Sequence, residues 1–414
     1  MHIILKFFLI FFLVFSQFSE VFGDTPQTDD SPQGFEFNTN RRSVRIPAVI
    51  SNNLVVIPIR INDSPPLNFI LDTGINTTIL IEPIIAQIFD LPIEETVYVL
   101  GLGEEGIIEA GMARDLTFSL RGITGHNMNL IVIPEGVLSF SEFFGFPVHG
   151  IIGNDLFAEF PVRINYRTNT VRIYRKPNYP IRRNSQIIPL KLDNNKPYVW
   201  VNVEGDEKTD SLRLLIDMGA TNPVFLNHSY KYLTDERISS FLGQGISGEL
   251  RGEMGRLQNL SIGEFVLEKP LVAYPGYDFL SSEIFSIEWE GIIGAGILSR
   301  FHVILDYPSQ KLILRKNRNF GKKFQSNLSG LDIIAKGIGF NEFIVNHVRE
   351  NSVAYEAGIL PGDQILSINR TAVSKMKIDD ILAEFSRSPG ITIHMVISRD
   401  DKILNKTIRL REDI

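Results

Sequence analysis

The feature that most constrains the fold is an internal repeat. The segment NFILDTGINTTIL, which begins at Asn68, recurs 145 residues later as RLLIDMGATNPVF, which begins at Arg213. About 80 residues after each copy, a second matching pair follows: GIIGNDLFAEFPVRINYRTNTVRI from Gly150 and GIIGAGILSRFHVILDYPSQKLIL from Gly291. Two pairs in the same order and at similar separation indicate a duplicated domain.

Local composition predicts that both repeated halves are mainly β. They contain short β-branched and aromatic runs, frequent Gly and Asn turns, and few windows with a sustained helical period. The chain has 414 residues, 44% of them apolar, so several domains can each bury a core. We expect two lobes, each a small closed β-barrel, at residues 44–180 and 181–320.

The N-terminus has the pattern of a targeting segment. Residues 1–23 contain Lys6, the apolar run FFLIFFLVF and a small residue, Gly23, at a plausible cleavage position. Nine uninterrupted apolar residues are far fewer than the roughly 20 of a membrane span, so a cleaved signal peptide is favoured over an anchor. Residues 24–43 are polar and aperiodic and are expected to form a spacer. We therefore expect an exported protein, periplasmic or extracellular, that does not span the membrane after signal cleavage.

Composition also narrows the classes of chemistry. The chain has no cysteine, which excludes disulfides, thiolate metal sites and cysteine nucleophiles. Its formal net charge of -7 is spread along the sequence, so a nucleic-acid partner is not expected. The seven histidines are scattered without metal-ligand spacing, and we expect neither a metal site nor a cofactor.

The repeat contains one acidic residue in each half, Asp72 and Asp217. Each follows three apolar residues and precedes an x-Gly pair. A carboxylate at the end of a buried strand is costly unless its charge is stabilised or it keeps a proton. If the halves pack about a pseudo-two-fold axis, the two carboxyls can meet and share one proton. Such a pair supplies a general base to activate water and a general acid for a leaving amine.

At these residues the chain resembles the aspartic proteases. The resemblance rests on Asp-Thr-Gly after an apolar strand and on the later apolar-apolar-Gly element, each placed in order in both halves. It implies two fused retropepsin-like lobes in a pepsin-like arrangement, with Asp72 and Asp217 as the catalytic dyad. The active-site loops would contain Thr73, Gly74, Met218 and Gly219, supported by Ile152, Gly153, Ile293 and Gly294.

Two positions depart from the pattern of this family. The family has Thr or Ser after each Asp, whose hydroxyl bonds across the lobe interface, and Met218 cannot make that bond. Ile75 replaces a small residue after the first Gly. Both carboxylates remain, so activity stays the leading hypothesis, and a catalytically impaired protein that only binds peptides is the alternative.

Each half also contains a glycine cluster, GLGEEG and GQGISG, which lies 29 and 26 residues after its Asp. Both fit the dinucleotide pattern G-x-G-x-x-G, but no helical pattern follows either one. A glycine-rich hairpin tip is the simpler interpretation, and in the resembling family this position is the flap that closes over a bound peptide. The predicted flap glycines are Gly101, Gly103, Gly106, Gly243, Gly245 and Gly248.

The region from residue 328 to 411 resembles PDZ domains of the bacterial, protease-associated kind. The resemblance rests on the segment AYEAGILPGDQILSINR, which begins at Ala354. It implies a β domain with one or two short helices that binds an extended peptide as an added strand and holds its C-terminal carboxylate with loop N–H groups. The candidate peptide-binding residues are Gly330, Leu331, Asp332 and Ile333, and GIGF at Gly337 is a competing loop.

Together these patterns predict an exported aspartic endopeptidase that acts on peptide or unfolded polypeptide and needs no cofactor. The PDZ domain would bind substrate or a C-terminal peptide. A third possibility is self-association, in which the apolar C-terminal residue Ile414 of one chain docks in the PDZ domain of another.

Overall fold

The structure is a computed structural model that describes residues 13–14, 33–101, 107–137, 140–276 and 290–414. The predicted signal peptide and much of the spacer therefore lie outside the described residues, apart from one two-residue strand. The flap glycines Gly103 and Gly106 also lie outside them. The described chain is mainly β, as predicted.

The first lobe is built from thirteen strands and three short helices of the described chain. The strands are β1 (Leu13–Val14), β2 (Gly34–Phe37), β3 (Ser43–Pro47), β4 (Val49–Ser51), β5 (Leu54–Ile61), β6 (Leu67–Leu71), β7 (Thr78–Leu80), β8 (Ile93–Leu100), β9 (Ile107–Leu120), β10 (Ile123–Val132), β11 (Gly150–Ile152), β12 (Val162–Asn165) and β13 (Thr170–Tyr174). The helices are α1 (Pro83–Ile88), α2 (Phe140–Phe144) and α3 (Asn154–Phe157).

The second lobe repeats this order with small differences. Its strands are β14 (Gln186–Pro189), β15 (Lys191–Asp193), β16 (Lys196–Glu204), β17 (Thr209–Ile216), β18 (Val224–Leu226), β19 (Arg237–Gly245), β20 (Gly248–Arg256), β21 (Asn259–Ile262), β22 (Phe265–Glu268), β23 (Leu271–Pro275), β24 (Gly291–Ile293), β25 (Phe301–Asp306) and β26 (Lys311–Lys316). A 3₁₀ helix spans His228–Leu233, and α4 spans Ala295–Leu298.

The main sheets of the two lobes have matching topology. In the first lobe the strand order is β1-β8-β9-β10-β7-β11-β6-β5-β4, with β5 also paired to β9. In the second it is β19-β20-β23-β18-β24-β17-β16-β21-β22. The matching core of both is a short strand, β11 or β24, inserted parallel to the strand that ends at the repeated Asp. Closure of each lobe into a barrel stays a prediction.

A third sheet joins the lobes. Its order is β14-β26-β25-β12-β13-β3, and β12 of the first lobe pairs antiparallel with β25 of the second, with Val162 opposite Leu305. One buried apolar cluster contains residues of both lobes, including Phe157 and Phe301. The lobes therefore share a sheet and a core, which fixes the loops that end at Asp72 and Asp217 relative to each other.

The PDZ region has its own sheet and apolar cluster. Its strands are β27 (Leu331–Lys336), β28 (Glu342–Val348), β29 (Gln364–Ile368), β30 (Thr371–Ala372), β31 (Thr392–Arg399) and β32 (Lys402–Arg409). Its helices are α5 (Val353–Glu356) and α6 (Ile378–Phe385), and a 3₁₀ turn spans Val373–Lys375. Strand β27 is at the edge of the sheet. The competing loop at Gly337 forms the turn between β27 and β28, with Ile338 fully exposed.

Candidate active site

The two repeated aspartates occupy equivalent positions in their lobes. Strand β6 ends at Leu71, directly before Asp72, and β17 ends at Ile216, directly before Asp217. The backbone N–H of Asp72 donates to the carbonyl of Ile152, and that of Asp217 to the carbonyl of Ile293, both at 2.9 Å. The apolar-Gly elements predicted from the repeat thus hold the backbone of both loops.

The structure brings the two carboxyl groups into contact. They are hydrogen-bonded to each other, and both side chains are at most 5% exposed. Each carboxyl also accepts a backbone N–H from its own loop: Gly74 donates to Asp72 Oδ1 at 2.7 Å, and Gly219 donates to Asp217 Oδ1 at 2.8 Å. The N–H groups of Gly74 and Gly219 are equivalent in the two loops, and each holds the carboxyl of its own loop in place.

The electrostatics of the pair differ between its members. Burial, the charge of Asp217 and a hydrogen bond to Asp217 raise the pKa of Asp72 well above its usual range. Burial also raises the pKa of Asp217, but the hydrogen bond from Asp72 and the backbone N–H of Gly219 oppose that rise. The pKa values of both carboxyls are therefore raised, and two carboxyls in contact cannot both ionise easily, which favours a single proton shared between them.

Glycine is required where the loops approach each other. A Cβ added at Gly219 would lie 2.2 Å from Asp72 Oδ2, and one added at Gly74 would lie 3.1 Å from Asp72 Oδ1. The supporting glycines are packed against backbone. A Cβ at Gly153 would lie 2.2 Å from the carbonyl oxygen of Asp72, and one at Gly294 would lie 2.1 Å from that of Asn222. Since real Cβ atoms do not approach so closely, three of these four positions exclude larger residues.

The cross-lobe hydrogen bonds are made from one side only. Thr73 Oγ1 donates to the carbonyl of Ile216 at 2.6 Å and accepts from the backbone N–H of Met218 at 3.0 Å. Met218 is 1% exposed and packs in the shared core, and its side chain has no hydroxyl to return the pair of bonds. The family resemblance implies such a pair of hydrogen bonds from each loop. Only the pair made by Thr73 is present, and one of its two partners is the backbone N–H of Met218.

Lys196 is a site residue that the sequence analysis missed. It begins β16, is 3% exposed and acts electrostatically on both carboxyls, whose pKa values it lowers. The pairing of Tyr198 with Leu215, continued by two residues, puts Lys196 opposite Asp217. Burial lowers the pKa of Lys196 to about 7. The sequence repeat could have identified this lysine. The segment DNNK, which leads into β16, matches SNNL, which leads into β5, and Leu54 occupies the position equivalent to Lys196.

Each predicted flap lies in a hairpin, and Gly101 at the end of β8 contacts the tip of the second hairpin. Strands β19 and β20 form one hairpin, with Gly245 paired to Gly248, and Gly243 sits at a register shift within it. Strands β8 and β9 form the other. The N–H of Gly101 donates to Ser247 Oγ at 3.0 Å, and a Cβ at Gly101 would lie 2.9 Å from the Cβ of Ile246.

A cavity of about 550 Å³ contains the pair of carboxyls. Its lining includes Asp72, Asp217, the second hairpin from Ser240 to Ile246, and apolar side chains of α2. Part of its lining comes from the PDZ region, including Asp332 and Ile333. The space is therefore bounded by both lobes and the C-terminal domain.

The four predicted peptide-binding residues of the PDZ region have different surroundings. Asp332 and Ile333 line the cavity. The N–H of Gly330 donates to Asn327 Oδ1 at 3.3 Å, and that of Leu331 donates to Ser329 Oγ at 3.1 Å, while the Leu331 side chain is fully buried. Two of the loop N–H groups expected to hold a carboxylate thus have acceptors within the loop.

The C-terminal tail contacts its own chain. The carbonyl of Ile414 and the carboxylate of Glu412 accept from Arg256 of β20, and the carboxylate of Asp413 accepts from Arg349 of the PDZ region. In the described part of the chain, no group of three or more acidic, His or Cys side chains is arranged to hold a metal. The same residues contain no helix with the length and apolarity of a membrane span.

Comparisons with known proteins agree with this architecture. Residues 57–156 match the aspartyl protease family model, and residues 344–399 match the PDZ domain model. The chain therefore has an aspartyl protease-like region and a C-terminal PDZ domain, which confirms both resemblances.

Two solved structures are similar to parts of the chain. The aspartic proteinase from Irpex lacteus is similar over 68% of this chain and 99% of its own, at 14% identity and a TM-score of 0.42. A photosystem II D1 C-terminal processing protease is similar over 20% of this chain and 22% of its own, at 19% identity and a TM-score of 0.19. No curated protein sequence matches significantly.

Proposed function

We propose that the protein is an aspartic endopeptidase that hydrolyses peptide bonds with Asp72, Asp217 and an activated water. The observation that carries this proposal is the contact between the two carboxyls, which come from equivalent loops and line one cavity together with the second hairpin. A peptide cleft covered by hairpins excludes bulk water from such a pair and strengthens its electrostatic interactions.

The proposed chemistry needs one ionised and one protonated carboxyl, and we assign these states to Asp217 and Asp72. The ionised Asp217 takes a proton from a water molecule, whose oxygen forms a bond to the scissile carbonyl carbon. Asp72 gives its proton to the carbonyl oxygen. When the C–N bond breaks, the proton now on Asp217 passes to the leaving nitrogen, and the hydroxyl proton of the intermediate returns to Asp72. The cycle needs only these two groups and one water.

The protein is also proposed to be exported to the periplasm or the extracellular space. The support is the pattern of residues 1–23, with a charged start, an apolar run and a small residue near the cleavage position. The PDZ domain is proposed to bind peptide, either substrate or partner. Fractionation of producing cells, with N-terminal sequencing of the mature chain, tests export independently of activity.

Incubation with a chemically unfolded polypeptide tests the enzymatic proposal. We expect internal cleavage between about pH 3 and pH 7 with a bell-shaped rate profile, because one carboxyl must be ionised and the other protonated. Mass spectrometry of the products distinguishes internal cuts from trimming of the ends. Polypeptide that stays intact at every pH contradicts the proposal.

Met218 favours a second candidate function, a protein that captures peptides without cutting them. It supplies no cross-lobe hydroxyl, so the second loop has only a backbone hydrogen bond to Thr73. Stable binding of an intact peptide, with no turnover at any pH in the cleavage assay, would establish this function.

A further inference from the structure

The peptide groove of the PDZ domain faces the catalytic lobes. In PDZ domains an extended peptide adds to an edge strand, and here that edge is β27. One part of β27 and the start of α6 are already covered by the first lobe. Gly145, which follows α2, is so close that an added Cβ would lie 3.2 Å from Ile378 Cγ2 and 3.6 Å from Ala335 Cβ. Ser51 Oγ also donates to Asp379 Oδ1 at 2.9 Å.

In the loop before β27, three backbone N–H groups already have hydrogen-bond acceptors from the same loop. Asn327 Oδ1 accepts the N–H groups of Ser329 at 3.1 Å and of Gly330 at 3.3 Å, and Ser329 Oγ accepts the N–H of Leu331 at 3.1 Å. An incoming carboxylate would have to replace these acceptors. In this conformation the loop and the covered part of β27 are closed to a free peptide terminus.

What remains open of the groove belongs to the catalytic cavity. Asp332 and Ile333 at the start of β27, and Leu382 and Ser386 of the α6 region, line the same space as the two catalytic carboxyls. A peptide bound across the two carboxyls can therefore extend along the same cavity onto the PDZ domain. The PDZ domain then acts as a wall of the cleft.

Asp332 is the group on this wall that lacks a partner of its own. Among the described residues, no hydrogen bond is made to its carboxylate, and burial raises its pKa to about 6 although the charges of Arg349 and Arg251 oppose that rise. Both arginines have other acceptors. Arg349 donates to the carbonyl of Asn327 and to Asp413, and Arg251 donates to Glu249.

We propose that the PDZ domain forms one wall of the substrate cleft and that Asp332 selects polypeptides with a basic side chain, Lys or Arg, at the subsite it faces. This inference rests on the proposed peptidase function and names its substrate class. The Asp332 side chain is partly exposed to the cavity. A carboxylate that has no hydrogen-bond donor of its own gains a charge-assisted hydrogen bond when an ammonium or guanidinium group enters. An acidic side chain at the same subsite meets a like charge.

The test uses the full chain at about pH 7, above the pKa of about 6 of Asp332, and pairs of peptides that differ at one position, Lys against Met. The position is moved along the residues flanking the scissile bond. At one position we expect the wild type to favour Lys by about tenfold in kcat/KM, since a hydrogen bond to a charged group is worth about that factor. Asp332→Asn should reduce the preference to about twofold.

Asp400→Asn is the matched control, because Asp400 is an exposed turn residue of the same domain with φ 49°, a conformation that Asn also adopts. It should keep the preference for Lys. A wild type without a preference at any position, or an Asp332→Asn variant that keeps it, overturns the inference.

Failure of the peptidase proposal gives a different result. If no peptide is cut, equilibrium binding of the same peptides to wild type and Asp332→Asn decides the inference alone. Tighter binding of the Lys peptide that Asp332→Asn removes supports it, and equal binding of both peptides, or no binding, overturns it.

Discussion

The loops that contain Asp72 and Asp217 have equivalent backbones in the two lobes, but different side chains surround them. In the first lobe, Thr73 makes two hydrogen bonds to the second lobe, and Leu54 begins the strand beside Asp72. In the second lobe, Met218 offers only its backbone N–H, and Lys196 stands where Leu54 would be. The backbone is nearly symmetric, but the charges are not. Duplication thus supplies two matched carboxyls, and the side chains around them give the two carboxyls different surroundings.

The largest expected difference between the lobes concerns their glycines. An added Cβ at Gly219 would collide with the Asp72 carboxyl, whereas at Gly74 it would only touch both carboxyls. Gly219→Ala should therefore lower kcat by about 100-fold or more, because it displaces the carboxyl of Asp72, the proposed acid. Gly74→Ala should lower it by about tenfold. Steady-state kinetics measures both, and an equal or reversed order contradicts the geometry.

The next difference concerns Thr73 and Met218. Thr73→Val leaves a buried carbonyl and a buried N–H without this partner, so the free energy of unfolding should fall by about 2 to 3 kcal/mol. Met218→Thr should change it by about 1 kcal/mol or less, since a new bond to the carbonyl of Leu71 offsets the lost apolar burial. Chemical denaturation measures both variants. If Met218→Thr lowers the free energy of unfolding more than Thr73→Val does, apolar packing rather than the cross-lobe hydrogen bonds holds the loops.

The smallest expected effect comes from Lys196→Leu, which gives the second lobe the residue of the first. The positive charge lowers the pKa of both carboxyls, so its removal raises both. The acid limb of the rate profile reports ionisation of the first carboxyl and the alkaline limb reports ionisation of the second, so both limbs should move to higher pH. Lys196→Arg, which keeps the charge, is the control. Unchanged limbs in Lys196→Leu would show that the lysine does not reach the pair.

Much of the site could be predicted from the sequence because duplication marks it. Asp72, Asp217 and their glycines recur at a fixed offset, and a repeated carboxylate at a strand end has few structural explanations. The mainly β class and the PDZ domain also follow from local patterns, as the comparisons confirm.

The remainder depends on tertiary packing. Lys196 breaks the repeat instead of following it, so a search for shared residues passes over it. The placement of Asp332 beside the catalytic cavity depends on how a separate domain packs, through Ser51, Gly145 and the C-terminal tail, and no local pattern encodes that arrangement. The backbone N–H of Met218 also carries a role that its side chain does not suggest.

The most direct test of the shared-proton pair is cleavage of an unfolded polypeptide by Asp72→Asn and by Asp217→Asn, each compared with wild type at its optimum pH. Circular dichroism of each variant checks that the fold is kept. The account predicts that both variants lose at least about a thousandfold in rate, because each removes one of the two acid–base groups. Cleavage within about tenfold of wild type by either variant would contradict it.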